Sequence, residues 1–198
     1  MLIYGLDCET TGLSPFENEV ITVQYAEEDG SLTLYRRWQY DTEADLLVDF
    51  LRDWRDIKRK RDAGGALFVG YNLLKFDVPF LFAKCLTDPT ILEDLAWTPQ
   101  DCWKQLYRWP MYLDLAHLLG SDFVSMRSVR EALLGTTDPI PSRDIPVYYA
   151  DGDYDTIERY VTDEMATLRE LFLELQRTPM FEELMAFRRR LGYDRELA

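Results

Sequence analysis

LIYGLDCETTGL, residues 2–13, is the segment from which the architecture of this chain can be inferred. It is apolar up to Leu6, as is typical of a buried β-strand, and then places Asp7 and Glu9 two positions apart. Because alternate residues of a strand project from one face, the two carboxylates are expected side by side. Neighbouring carboxylates repel each other, and a hard divalent cation such as Mg²⁺ or Mn²⁺ relieves that repulsion. The segment therefore predicts a metal-binding strand end.

A second segment, VGYNLLKFDVPFL (residues 69–81), joins a short apolar strand to a helix. The strand ends before Asn72, and the helix is predicted to begin near Asp77, since Pro79 is tolerated in a first helical turn. Taken alone, Asp77 is also explained as an ordinary helix N-cap.

A third segment, YVTDEMATL (residues 160–168), belongs to a helix predicted over about 153–176. Asp163 lies beside the apolar face of that helix, and Tyr160 precedes it by one turn, so the two side chains can serve one site. The alternative is a boundary pair that only stabilises the helix.

Together the three segments resemble the DEDD exonuclease superfamily, which has the ribonuclease H-like fold. The first matches its DxETTGL motif, and the second matches the N-x(3)-F-D motif of the branch that contains the proofreading domains of family B DNA polymerases. The third is similar to the terminal D-x-x-x-T-L helix. The resemblance covers roughly residues 1–176 and implies an α/β fold with a central mixed five-stranded sheet flanked by helices. It also implies 3′–5′ exonuclease activity that releases nucleoside monophosphates.

The resemblance assigns metal ligands as well. Asp7, Glu9 and Asp163 are expected to hold one divalent ion, Mg²⁺ or Mn²⁺, and Asp77 to hold a second largely through water. Two such ions would act together on the terminal phosphodiester.

One position departs from the superfamily pattern, which places a Tyr four residues or a His five residues before the last Asp. Counted from Asp163, those positions hold Arg159 and Glu158, and Tyr160 stands three residues before. Our hypothesis is that Tyr160 takes the role that the resemblance implies for that residue, which is to orient the attacking water.

The resemblance also predicts how the substrate is held. The backbone after the first motif should cradle the 3′-terminal nucleotide, and aromatic and apolar side chains should contact its bases. The expected substrate-binding residues are Thr10, Thr11, Gly12, Leu13, Asn72 and Phe76. Ordinary packing is an equal explanation for Phe76. Asp114 is expected to cap the helix that follows it.

Single-stranded DNA is the favoured substrate, although the residues do not decide between deoxyribose and ribose. An exonuclease for RNA or short oligonucleotides therefore stays open, as does a catalytically silent nucleic-acid-binding domain of the same fold. A polymerase or helicase is a conceivable partner, and the oligomeric state is left undetermined.

The composition of the chain bears on its domain number, its location and its affinity for nucleic acid. The 198 residues suit one domain, with a helical extension over 177–198, and the apolar runs are far shorter than the ~20 residues that span a bilayer. Three scattered cysteines and the absence of an N-terminal signal pattern predict a soluble cytoplasmic protein without a membrane or zinc site. The net charge of −14 is unfavourable for phosphate binding. Basic residues cluster only over 52–61 and 188–190.

The remaining chain is assigned from periodicity and turn residues. The pattern predicts a hairpin over 20–25 and 32–38, helices over 43–61, 114–119 and 125–134, strands over 66–71 and 111–113, a loop over 136–147, and a terminal helix from Pro179. Residues 88–110, rich in Trp and Pro, receive no assignment.

Overall fold

The structure of the protein is a computed structural model that describes residues 2–59, 66–108, 110–118, 124–137 and 140–190. Three strands come first in the described chain, two more strands follow among helices, and the remainder is helical. In order they are β1 (Leu2–Thr10), β2 (Val20–Glu27), β3 (Leu32–Arg36), α1 (Glu43–Arg59), β4 (Ala66–Gly70), α2 (Asp77–Thr87), α3 (Pro89–Leu95), α4 (Pro99–Trp103), β5 (Met111–Asp114), α5 (Leu115–Leu118), α6 (Met126–Leu134), α7 (Ile145–Asp151), α8 (Tyr154–Gln176) and α9 (Pro179–Arg190).

The five strands form one mixed sheet in the order β3-β2-β1-β4-β5. β1 lies at the centre, antiparallel to β2 and parallel to β4, while β3 and β5 extend the antiparallel and parallel halves. The expected α/β fold with a mixed five-stranded sheet is confirmed. In this order β1 and β4 have a strand on each side, as their nearly continuous apolar sequences indicated.

Each face of the sheet is covered by helices. On one face, Tyr4 and Phe68 pack with Trp54 of α1 in a cluster that also contains α2 and α3 residues. On the other face, Val69 packs with Met165 and other apolar residues of the long helix α8. Because α8 contacts β1, β2 and β4, a side chain on its inner surface can reach the end of β1.

Several loops hold more regular structure than periodicity indicated. Residues 88–110 contain α3, α4 and a π-helical turn over Lys104–Arg108. The loop predicted over 136–147 is wrong in its second half, because a 3₁₀ turn over Ser142–Asp144 leads into α7. A proline near the start of α7 concealed it, although proline is compatible with a first helical turn.

The other boundaries agree within a few residues. Residues 60 and 61 of the predicted first helix, and residues 119 and 191–198, lie outside the described part of the chain. Among the described helices, none combines the length and apolar character needed to cross a membrane.

Candidate metal centre

Three carboxylates meet where the central strand ends. Asp7 and Glu9 come from β1 and Glu164 comes from α8, and one carboxylate oxygen of each lies within 4.8 Å of the others. All three side chains are partly exposed. The period of two in β1 places the first pair on one face, and the packing of α8 against that face adds the third. This all-oxygen donor set suits Mg²⁺ or Mn²⁺.

Asp77 joins this cluster from the N-terminus of α2. Its side chain is buried, and its Oδ1 accepts a hydrogen bond from the backbone N–H of Cys8 at 2.9 Å. The bond ties the second motif to the first between Asp7 and Glu9. Because the carboxylate is engaged by β1, Asp77 does not act as an N-cap; that position belongs to Phe76, whose side chain makes no capping bond.

Burial and crowding raise the pKa values of these acids. Burial raises the pKa of Asp7 to about 6, against hydrogen bonds from Gln24 and the Cys8 backbone that lower it. The pKa of Glu9 is raised well above its usual range by burial and then by the neighbouring Glu164 and Asp7. Burial followed by the charge of Asp7 raises the pKa of Asp77. Full ionisation of such a cluster at neutral pH requires a compensating cation, so the residues fit divalent metal.

Asp163 is not part of this cluster. Its carboxylate accepts two hydrogen bonds from Arg130 of α6, at 2.5 Å from Nη1 and 3.2 Å from Nη2. The expectation that Asp163 meets Asp7 and Glu9 is therefore corrected. Consecutive residues of a helix differ by about 100° in direction, and the rotation of α8 brings Glu164 to the acids instead.

Glu164 also accounts for the unusual spacing of Tyr160. The tyrosine stands four residues before Glu164, which is the separation that the superfamily pattern has between its Tyr and its last acid. Tyr160 is nearly buried, and burial, followed by the charges of Glu164 and Glu9, raises the pKa of its hydroxyl. Sequence reasoning missed Glu164 because the motif was matched on aspartate, whereas the tyrosine spacing would have identified it.

Arg159 and Glu158, which stand four and five residues before Asp163, both make hydrogen bonds away from the acidic cluster. Glu158 forms a bidentate ion pair with Arg36 of β3, with N–O distances of 2.7 and 3.0 Å. Arg159 donates to the hydroxyl of Thr156. Both contacts hold the helix rather than face the acids.

The loop after β1 is closely hydrogen-bonded. The Thr10 hydroxyl donates to the carbonyl of Gly12 at 2.7 Å, and Thr11 exchanges two bonds with Glu19 across the loop. A Cβ on Gly12 would approach Asn18 Oδ1 to 2.6 Å, so a side chain there would displace Asn18. This ordered loop leaves Leu13 84% exposed at the cleft, as a side chain that contacts a ligand requires.

Asn72 and Phe76 line the cleft beside Asp77. Asn72 has a left-handed backbone (φ 59°), which asparagine tolerates better than most residues. Asp114 supports this turn: it accepts hydrogen bonds from the backbone N–H groups of Asn72, Leu74 and Ala116. It therefore does more than cap the following helix.

The carboxylates form one part of a single open cleft. Its other walls come from the loop after β1, the turn after β4, the start of α6 and the segment before α7. The lining includes the expected Thr10, Gly12, Leu13, Asn72, Phe76 and Tyr160, and adds Tyr71, Arg127, Ile140, Pro141, Arg143 and Pro146. Thr11 is not part of this lining.

Solved structures identify the fold to which this arrangement belongs. The family B DNA polymerase from the hyperthermophilic archaeon Pyrobaculum calidifontis superposes on 88% of the chain with a TM-score of 0.62 and 16% identity. An exonuclease I structure superposes on 94% with a TM-score of 0.50 and 12% identity. The chain spans 24% of the polymerase and 44% of exonuclease I. No protein-family model and no curated protein matches the sequence.

The chain therefore shares its fold with a part of each of these two proteins, as its resemblance to the exonuclease superfamily implied.

Proposed function

We propose that this protein is a metal-dependent 3′–5′ exonuclease that acts on single-stranded DNA and releases nucleoside monophosphates. The observation that carries the proposal is the convergence of Asp7, Glu9 and Glu164 within 4.8 Å, with Asp77 hydrogen-bonded beside them. These carboxylates come from three separate segments, and they line a cleft wide open to solvent. Crowded carboxylates without a compensating cation destabilise a fold, so their assembly here favours a catalytic purpose.

Asp7, Glu9, Asp77 and Glu164 would hold two divalent metal ions. Bound there, the metal would supply charge compensation for the phosphate and a lowered pKa for water. The place of reaction would be set by these carboxylates, three of which are presented by β1 and by the face of α8 that packs against the sheet. Glu164 thus takes the position that sequence reasoning gave to Asp163.

Tyr160 would orient the attacking water. The phenol is protonated at neutral pH, as any tyrosine with an ordinary or raised pKa is, so the hydroxyl can donate a hydrogen bond as well as accept one. The ordered loop over Thr10–Leu13 would support the 3′-terminal nucleotide, with Leu13 against its base and Phe76 near the next. Contacts of this type tolerate any base, as stepwise degradation requires.

The proposal is tested with 5′-end-labelled single-stranded DNA and RNA of one sequence, incubated with EDTA, Mg²⁺ or Mn²⁺. We expect metal-dependent products shortened stepwise from the 3′ end, faster on DNA, and lost in Asp7→Asn. Asp94→Asn is the matched control, because it removes an exposed carboxylate of α3 that does not line the cleft.

Faster cleavage of RNA would make the protein an exoribonuclease. An absence of cleavage with every metal, together with retained binding of the labelled strand, would contradict the proposal and indicate a silent nucleic-acid-binding domain.

A further inference from the structure

Gln24 is a fully buried polar residue placed directly across from Asp7. The two residues are register partners in the antiparallel pair of β2 and β1, so their side chains share one face of the sheet. The Gln24 Nε2 donates a hydrogen bond of 2.5 Å to Asp7 Oδ2. No solvent reaches Gln24, which is 0% exposed.

Only the nitrogen of the Gln24 amide has a hydrogen-bond partner among the described residues. Its Oε1 is buried and accepts no hydrogen bond from any residue that the structure describes. A buried acceptor without a partner destabilises a fold, whereas a methionine or leucine would fill the same space without that penalty. Ala26, which lies two positions further along β2 and so on the same face, is buried among apolar residues, so an apolar side chain is compatible with this face. Stability therefore does not account for glutamine here, and the contact with Asp7 does.

We propose that Gln24 is a positioning residue for the metal centre, and this inference rests on the proposed function. By donating to one oxygen of Asp7, it holds the carboxylate in the orientation that faces Glu9 and Glu164. Outer-shell partners of this kind set the direction of a metal-binding side chain and so its affinity for the ion.

The chemistry of an amide suits this position better than the alternatives. An arginine or lysine would neutralise Asp7 and compete with a bound cation, and a glutamate would add a further negative charge to the cluster. The amide orients the carboxylate and leaves its charge intact. The reverse amide orientation would set Oε1 against the carboxylate, so the nitrogen is the atom that faces Asp7.

The test is Mn²⁺ binding, measured by electron paramagnetic resonance of free Mn²⁺, in the wild type and in Gln24→Met. We expect the variant to bind Mn²⁺ roughly tenfold to a hundredfold more weakly. Its melting temperature in EDTA should equal or exceed that of the wild type, because a half-satisfied amide is gone. Saturating Mn²⁺ should restore most of kcat. Gln24→Leu repeats the measurement with a different packing.

Thr22→Val is the matched control. Thr22 lies on the same strand across from Glu9, is equally buried, and has a hydroxyl without a hydrogen-bond partner among the described residues. We expect its Mn²⁺ affinity to be unchanged.

Three outcomes would overturn the inference. Folded Gln24 variants with wild-type Mn²⁺ affinity would remove the positioning role and leave the nuclease proposal intact. An equal loss in Thr22→Val would attribute the effect to packing. A wild type that neither binds Mn²⁺ nor cleaves would defeat the proposed function and this inference with it.

Discussion

Two adjacent acids of α8 have different surroundings. Glu164 meets Asp7 and Glu9, whereas Asp163 is held by Arg130. We expect Glu164→Gln to lower kcat by roughly a hundredfold or more, because a direct metal ligand matters at least as much as an outer-shell partner. Asp163→Asn should keep nearly full activity and lose no more than about 1 kcal/mol of stability, since its carboxylate is part-exposed. Parallel exonuclease assays decide this, and an inactive Asp163→Asn beside an active Glu164→Gln would restore the original assignment.

The raised pKa of Asp7 predicts a pH-dependent stability of the metal-free protein. A carboxyl whose folded pKa is about 6 rather than 3.8 favours the folded state below 3.8, and this contribution is lost as pH rises through 6. In EDTA, Asp7→Asn should therefore match the wild type near pH 4. At pH 7 it should be more stable by roughly 3 kcal/mol, the free energy equivalent of that difference.

Urea denaturation in EDTA at both pH values measures this change. The prediction would be contradicted if the difference in unfolding free energy between Asp7→Asn and the wild type stayed constant between pH 4 and pH 7. Saturating Mn²⁺ should reverse the order at pH 7, because the wild type alone retains Asp7 to bind the ion.

At the residue scale, local rules placed part of the cluster. The i, i+2 rule brought Asp7 and Glu9 together, and the strand–helix junction brought Asp77 near them. The choice between Asp163 and Glu164 could not be made from amphipathicity, since both border the apolar face of α8. Arg130, the partner that distinguishes Asp163 from Glu164, comes from a different element. Gln24 escaped notice because the register of β2 against β1 is a tertiary property.

Asp114 links two elements around the turn that leads to Asp77. Its bonds to the backbone N–H groups of Asn72 and Leu74 hold the turn after β4 to the end of β5, and its third bond reaches Ala116 in α5. In Asp114→Asn, an amide nitrogen replaces one carboxylate oxygen, and this nitrogen cannot accept a hydrogen bond. We expect a loss of about 1–3 kcal/mol in unfolding free energy, because a buried N–H is left unsatisfied.

Urea denaturation of Asp114→Asn beside Asp94→Asn provides the measurement. Equal stability of the two variants would show that the Asp114 bonds do not hold the turn.

Helices and strands with strong apolar periodicity could be predicted from the sequence, whereas the short helices that begin with a side-chain cap were not predicted. The hairpin and the helices α1, α6 and α8 follow directly from their apolar spacing. By contrast, α3 and α4 begin with local caps at Asp88 and Thr98, each followed by proline, which are readable signals in an otherwise irregular sequence. The start of α7 has no side-chain cap that the sequence could display.

For the whole molecule, the net charge of −14 opposes a polyanionic substrate. Two cations, Arg127 and Arg143, nevertheless line the cleft, and both are exposed. Each phosphate neutralised on a single strand contributes a slope of about −0.7 to log K against log salt. For a labelled oligonucleotide bound to Asp7→Asn, we therefore expect a shallow slope of log K against log salt, about −1.4. Adding Arg127→Gln should make this slope less negative by about 0.7.

Fluorescence anisotropy across a KCl series measures both slopes. Arg52→Gln, which removes an exposed cation outside the cleft, should leave the slope unchanged. A slope several-fold steeper would place the phosphate contacts elsewhere on the protein.

The meeting of Glu9 with Glu164 joins positions 155 residues apart in the chain. Such distant partners come together after local helices and the hairpin have formed, because a long loop must first close. A growing polypeptide that has emerged only as far as α7 already carries Asp7, Glu9 and Asp77, yet it lacks the side chain that completes the centre. The proposed metal centre is therefore complete only once α8 has been synthesised and has packed against the sheet.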